Sequence, residues 1–242
     1  MKSVIAFLIS FVLPIACFSQ VPDKSEWGEK FNSSGASLVL KESGRNRING
    51  QTVVSYYLFA AGMPKDVDYT LWTKLVGGEP QAVADAFING DGLVVNVLAD
   101  PAHKIAEDPI NLRVFAGRGE PKQVALISND GHYRAFGQAV PFPIENTVGS
   151  CHISAVMLAA NYSGVLIVVN GLQPEEELQI DAQSAGEGGP SKAAATDQGT
   201  YQSVVFPFVK GKRTGLTRFN VTAKSCTIGV EFPWGESSYK IQ

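Results

Sequence analysis

The side chains that could do chemistry are few. The chain of 242 residues holds three histidines, His103, His132 and His152, and three cysteines. None of the histidines stands at a metal-ligand spacing from another His, a Cys or a carboxylate, so no metal centre is expected. Cys151 and His152 are neighbours, the residue types of a thiol nucleophile and its base. On an extended strand adjacent side chains point to opposite faces, so that pair cannot meet. The sequence has no Gly-x-Ser-x-Gly elbow, no phosphate-binding glycine loop and no zinc-protease helix motif. A glycosidase could take its two carboxylates from distant strands, but nothing marks out such a pair. No catalytic residue and no cofactor is assigned.

Asn89-Gly90-Asp91-Gly92 and Asn129-Asp130-Gly131 carry the oxygens a calcium loop would use. The full alternating-Asp loop is missing, and Asn-Gly and Asp-Gly are common hairpin turns, so both stretches are read as turns. Glu175-Glu176-Glu177 reads as a solvated corner, and Lys210, Lys212 and Arg213 as a basic hairpin tip. Aromatic residues are the more informative group. Trp72, Trp234, Tyr56, Tyr69, Tyr133 and Tyr201 could supply a platform for stacking on sugar rings, although core packing is the default for any one of them. Period-two alternation puts Tyr69 and Leu71 on one face and Trp72 on the other with Thr70. If that second face is open to water, Trp72 is the binding residue to test.

The elements that must position these groups come in two copies. An apolar run ends at Gly62 and again at Gly171, an apolar residue follows (Met63, Leu172), and a proline opens a polar corner (Pro64, Pro174). Alternation then resumes with Tyr69 and Leu71, or Leu178 and Ile180. Glycine's freedom at positive φ and proline's fixed φ make this a strand, a turn and a second strand. Further landmarks follow in the same order: Gly92 and Gly199, Arg113 and Arg218, Val140-Pro141-Phe142-Pro143 and Val230-Glu231-Phe232-Pro233. Gly62 and Gly92 are 30 positions apart and Gly171 and Gly199 are 28 apart, but the later spacings are 51 and 34. The first copy is therefore expected to carry an insertion of about 17 residues, placed near 117–137.

Met1 to Gln20 has one lysine, an apolar run and a small-residue exit, the pattern of a secretory signal peptide over 1–19. A lipoprotein-type exit with a lipid anchor at Cys17 is the alternative, disfavoured by Pro14. A polar leader (20–35) follows. No later segment is long and apolar enough to span a membrane. A formal charge of −3 leaves no footprint for nucleic acid or for an anionic surface.

Short runs of β-type residues separated by turn signals predict seven or eight strands per hundred residues, without a convincing amphipathic helix. The fold class is all-β: two tandem sandwiches at 36–146 and 150–242, with a link at Glu145 to Gly149. Val204–Val209 and Leu216 onward read as a hairpin. The run Gly171-Leu172-Gln173-Pro174-Glu175-Glu176, followed by Asp197-Gln198-Gly199-Thr200-Tyr201, resembles bacterial immunoglobulin-like or fibronectin type III-like domains. Those share a Gly-Leu-x-Pro-Gly corner and an Asp-x-x-Gly turn. Here Glu175 takes the place of the second glycine, and Pro64 comes one residue early in the first copy. The resemblance implies a fold and carries no catalytic residues. In such a sandwich the first and last strands can be neighbours, which allows a Cys151–Cys226 disulfide in an oxidising compartment. Two buried free thiols are the alternative. The function expected is an exported, non-enzymatic envelope or extracellular protein with a protein or polysaccharide partner. The alternatives are a carbohydrate-binding module and an accessory domain of a secreted enzyme.

Overall fold

The computed structural model describes residues 27–97, 108–236 and 238–242. The proposed signal peptide, Cys17 and His103 lie outside them. The chain forms two β-sandwich units. In the first, β1 (Ser37–Ile48), β2 (Gln51–Ala61) and β6 (Leu112–Val114) make one sheet in the order β1-β2-β6. The facing sheet is β5-β4-β3-β7-β8, from β3 (Tyr69–Lys74), β4 (Gln81–Ile88), β5 (Val94–Asn96), β7 (Lys122–Ser128) and β8 (Arg134–Ala139). In the second unit β9 (Ile144–Val148), β10 (Cys151–Ala159), β11 (Gly164–Asn170) and β14 (Tyr201–Val205) make a sheet ordered β14-β11-β10-β9. It faces β13-β12-β15-β16, built from β12 (Glu177–Ser184), β13 (Glu187–Ala194), β15 (Thr214–Thr222) and β16 (Thr227–Gly235).

The repeat is therefore topological. β1-β2-β6 corresponds to β10-β11-β14, and β4-β3-β7-β8 to β13-β12-β15-β16. Gly62 and Gly171 sit at matching corners, both at positive φ. A β-carbon would stand 2.1 Å from the Gly35 carbonyl oxygen at the first and 1.9 Å from that of Ser150 at the second. Only glycine fits a corner crossed that closely by another backbone.

Five expectations need correction. The extra residues of the first unit do not lie near 117–137, because β7 and β8 there are core strands. Twenty positions separate Gly92 from Leu112 of β6, whereas two separate Gly199 from Tyr201 of β14, so the insertion precedes β6. Arg113 and Arg218 do not correspond, since β6 pairs with β2 while β15 pairs with β12. The run before Lys210 is not half of a hairpin: β14 pairs with β11 in one sheet and β15 with β12 in the other, and the loop crosses between them. Two-residue hairpins are instead β1–β2 through Asn49-Gly50 and β12–β13 through Ala185-Gly186, with positive φ at both turn residues in each, and β9–β10 through Gly149-Ser150, with positive φ at Gly149. Glu145 to Gly149 is no link: Glu145 to Val148 belong to β9 on the edge of the second unit, and Gly149 opens the turn into β10. Finally, the leader is structural from Trp27 onward, because Trp27 and Phe31 pack on the first unit.

The second unit has one core of buried residues drawn from both sheets, including Ile153, Ile167, Leu178, Phe232 and Trp234. Cys151 and Cys226 are bonded, with a Cα–Cα distance of 6.5 Å. The bond ties the start of β10 in one sheet to the β15–β16 turn of the other. Glu176 buttresses the same end, accepting from the Gln173 N–H (2.9 Å) and from the Ser225 N–H (2.6 Å) and hydroxyl (2.7 Å). Those donors, the Gln173 amide first, hold its carboxyl below the ordinary range.

The units meet through the loop after β6. Gly119, at φ 69°, lies where a β-carbon would be 2.9 Å from Ile144 Cδ1. Its N–H donates to the Phe142 carbonyl (2.7 Å), and its carbonyl accepts from Met157 N–H of β10 (2.8 Å). The Tyr162 hydroxyl donates to the Arg118 carbonyl. Buried Glu120 accepts from Gly117 N–H (2.9 Å) and from the Tyr239 hydroxyl (2.7 Å). The chain's last residues return to the first unit: Gln242 donates to the Ala116 carbonyl (3.2 Å) and accepts from Thr52 N–H (2.6 Å).

Candidate interaction surface

Tyr201 to Val209 contains no charged residue. β14 occupies the first half of this run as the edge of its sheet, paired with β11 on one side only among the described strands. At Val205 the chain leaves that sheet, and Phe206-Pro207-Phe208-Val209 carries it across the mouth of the sandwich. Pro207 and Val209 point in and are buried, while Phe206 is 74% exposed and Phe208 55% exposed. Exposed aromatic rings flanking a buried proline are uncommon on a surface that contacts only water.

The loop is held firmly. The Ser184 hydroxyl donates to the Pro207 carbonyl and accepts from the Thr217 hydroxyl (3.0 Å). Phe208 meets Trp234 edge-on, with ring centroids 5.4 Å apart. Gly215 makes room for that indole, since a β-carbon there would be 2.6 Å from its ring. Beyond the rings, Lys212 donates to the Ala185 carbonyl and Arg213 pairs with Glu236 (2.9 Å), so the basic tip is tied down. Between the loop and the β12–β13 hairpin lies a cleft of about 250 Å³, lined by Gln183, Ser184, Glu187, Thr217 and the two phenylalanines.

The apolar surface continues onto the outer face of the sheet. Register places Val156, Leu166 and Val204 in one row across β10, β11 and β14. Phe206 lies over Gly164 beside Leu158, which is itself exposed. Strand, loop and sheet face thus form one continuous apolar strip on a rigid support. It can bind an apolar surface. The sequence signal is the uncharged run through Phe206 and Phe208, which has the local form of a hairpin arm as well.

The residues singled out from sequence fall elsewhere. Trp72 does lie on the face opposite Tyr69 and Leu71, as alternation requires. That face is covered, however: Trp72 is 5% exposed, packed with Ala125, Ile127 and Phe136 beneath Trp27 and Phe31. As an open stacking platform it is corrected. Cys151 is in the disulfide and cannot be a thiol nucleophile. His152 reaches Thr147 Oγ1 (3.0 Å) and Glu145 (3.6 Å) on β9. His132 pairs with Asp130 (2.9 Å) in an exposed turn. The Asp130 carboxyl is held far below the ordinary range by the Ser128 hydroxyl and the His132 amide. Asn89 Oδ1 accepts from the N–H groups of Asp91 (3.0 Å) and Leu93 (2.9 Å). Asn89 and Asp130 thus use side-chain oxygens to close their turns, while Asn129 Oδ1 accepts from the Thr70 hydroxyl of β3 (3.1 Å). Among the described residues no three His, Cys, Asp or Glu side chains gather as a metal site would need.

No protein-family model matches this chain, and no curated protein matches it. Among solved structures it is similar to a tetra-tandem repeat in the extending region of a large adhesion protein, at 10% identity and a TM-score of 0.24. The match covers 82% of this chain and 48% of that one, so this chain spans about half the length of the structure it matches. A superposition that loose transfers neither a site nor an activity.

Proposed function

We propose that this is an exported, non-enzymatic interaction protein of the bacterial envelope or extracellular space, which holds a partner protein on the Phe206–Phe208 strip. The carrying observation is that two large rings face water on a loop fixed by a buried proline, two hydroxyls and an indole. Together the rings leave on the order of 250 Å² of apolar surface in water, about 6 kcal/mol of transfer free energy before the costs of association. The single-sided edge of β14 adds unpaired backbone groups beside them.

Three features support the setting. The disulfide suits an oxidising compartment. The N-terminal sequence has the form of a signal peptide. The second unit's two facing sheets, with the first, second and fifth of the seven strands after β9 opposite the other four, have the sandwich architecture that the immunoglobulin-like or fibronectin type III-like reading expects. The test is saturable binding of the purified mature protein to isolated envelopes. A Phe206→Ser/Phe208→Ser variant with an unchanged disulfide and melting curve is expected to bind at least tenfold more weakly. Equal binding by the variant refutes the assignment of this strip.

A further inference from the structure

A second cleft, on the other unit, combines an aromatic wall with paired amides. On the outer face of the β5-β4-β3-β7-β8 sheet, register sets Trp72, Ala125 and Phe136 in one row and Lys74, Gln123 and Gln138 in the next. The aromatic row is buried and the polar row opens to solvent. Across the step between them stands Trp27, edge-on to Phe136 at 5.4 Å, with the Lys74 ammonium 5.7 Å from its ring centre. The result is a cleft of about 250 Å³ lined by Trp27, Glu29, Gln123, Phe136 and Gln138.

This wall is built, because the segment carrying Trp27 takes the place of a strand on the edge of β8. The Ser33 N–H donates to the Arg134 carbonyl (2.8 Å), and the Ser33 hydroxyl accepts from Arg134 N–H (2.9 Å). Asn32 Oδ1 accepts from Phe136 N–H (2.7 Å). Trp27 is thereby fixed relative to two carboxamides that face each other directly across β7 and β8.

We infer that this cleft binds one ring of a neutral pyranose glycan. An indole offers a flat apolar surface to the C–H face of a sugar. Each carboxamide donates from NH₂ and accepts at its oxygen, the pairing that vicinal hydroxyls need, and the Glu29 carboxylate accepts from a further hydroxyl. Few polar groups converging beside an apolar wall is the general form of a small-ligand site. The cleft suits a single ring, so binding is weak per site. This assignment is independent of the Phe206–Phe208 strip and goes beyond the partner-protein reading.

The test is titration of the mature protein with cellohexaose, mannohexaose and chitohexaose, followed by tryptophan emission and calorimetry, with polygalacturonate as the charged comparator. At least one neutral glycan is expected to saturate, with a Kd of about 1 mM or tighter. Trp27→Ala and Gln138→Leu are each expected to weaken it at least tenfold. Gln138 is exposed on an edge strand, so its replacement leaves the fold intact even if loss of Trp27 loosens the terminal segment. Phe206→Ser/Phe208→Ser should bind the glycan normally. The inference is overturned if no neutral glycan saturates, if only polygalacturonate does, if Gln138→Leu binds unchanged, or if the double phenylalanine variant abolishes binding.

Discussion

Replacing Glu175 by glycine should stabilise the second unit. Glu175 sits at φ 57° in the corner after Gly171-Leu172-Gln173-Pro174, with its N–H donated to the Thr196 carbonyl (3.1 Å). A residue with a β-carbon held in the left-handed region costs roughly 1–2 kcal/mol. Glycine removes that cost but gives back about 0.4–1 kcal/mol through the larger freedom of its unfolded chain. The balance is a gain of about 0.5–1 kcal/mol, equivalent to a rise of roughly 3–6 °C in Tm for a unit of this size. Trp234 is fully buried in the second unit, while Trp27 and Trp72 report on the first. Emission from a Trp27→Phe/Trp72→Phe background thus follows the second unit alone. Glu175→Ala is the decisive control, because it removes the charge beside Glu176 and Glu177 and keeps the β-carbon. If strain is the cause, alanine gives none of the gain. Equal stabilisation by alanine and glycine would refute backbone strain and assign the effect to charge repulsion.

Other consequences are equally direct. Cys151→Ala/Cys226→Ala opens a loop of 75 positions, for which the chain-entropy model gives about 4 kcal/mol, an upper-end figure; denaturant unfolding read at Trp234 should shift by most of it. Tyr239→Phe removes one of two donors to buried Glu120, so the unfolding transitions of the two units should separate when Trp72 and Trp234 are compared. Coincident transitions in that variant would remove this bond from the coupling. Burial first, then nearby acidic and phenolic groups, push the Tyr69 hydroxyl up to about 12. Its folded value is raised, so its stabilisation is fully present below about pH 10 and is lost as pH rises through about 12. Alkaline unfolding followed at Trp72 should be shallower in Tyr69→Phe; an identical profile would rule Tyr69 out as its source.

The corners were legible because they depend on residue type alone: Gly62, Gly171 and Gly199 mark backbone crossings that no other residue permits. Strand existence was legible from alternation, and so was the placing of Trp72 opposite Tyr69. Which strands pair was not. Val204–Val209 followed by a glycine-rich tip has the local form of a hairpin, and only the competing partners β11 and β12 send its two halves to different sheets. The cover over Trp72 was hidden for the same reason. Trp27 and Phe31 lie more than 40 positions upstream in a segment whose composition is polar, and their burial depends on Asn32 and Ser33 finding the edge of β8. Both candidate surfaces thus rest on long-range contacts, which a periodic pattern does not encode.

The disulfide also sets how the molecule answers a pull along its length. Residues between Cys151 and Cys226 are shielded from tension while the bond stands, because load crosses directly from the start of β10 to the β15–β16 turn. Some 75 positions, roughly 250 Å of contour at full extension, are thereby withheld. Most of the slack the described chain can release under load comes from its first unit. β14 and the Phe206–Phe208 loop lie inside the shielded stretch, so a partner gripped there would stay on a folded support while the rest of the chain is drawn out.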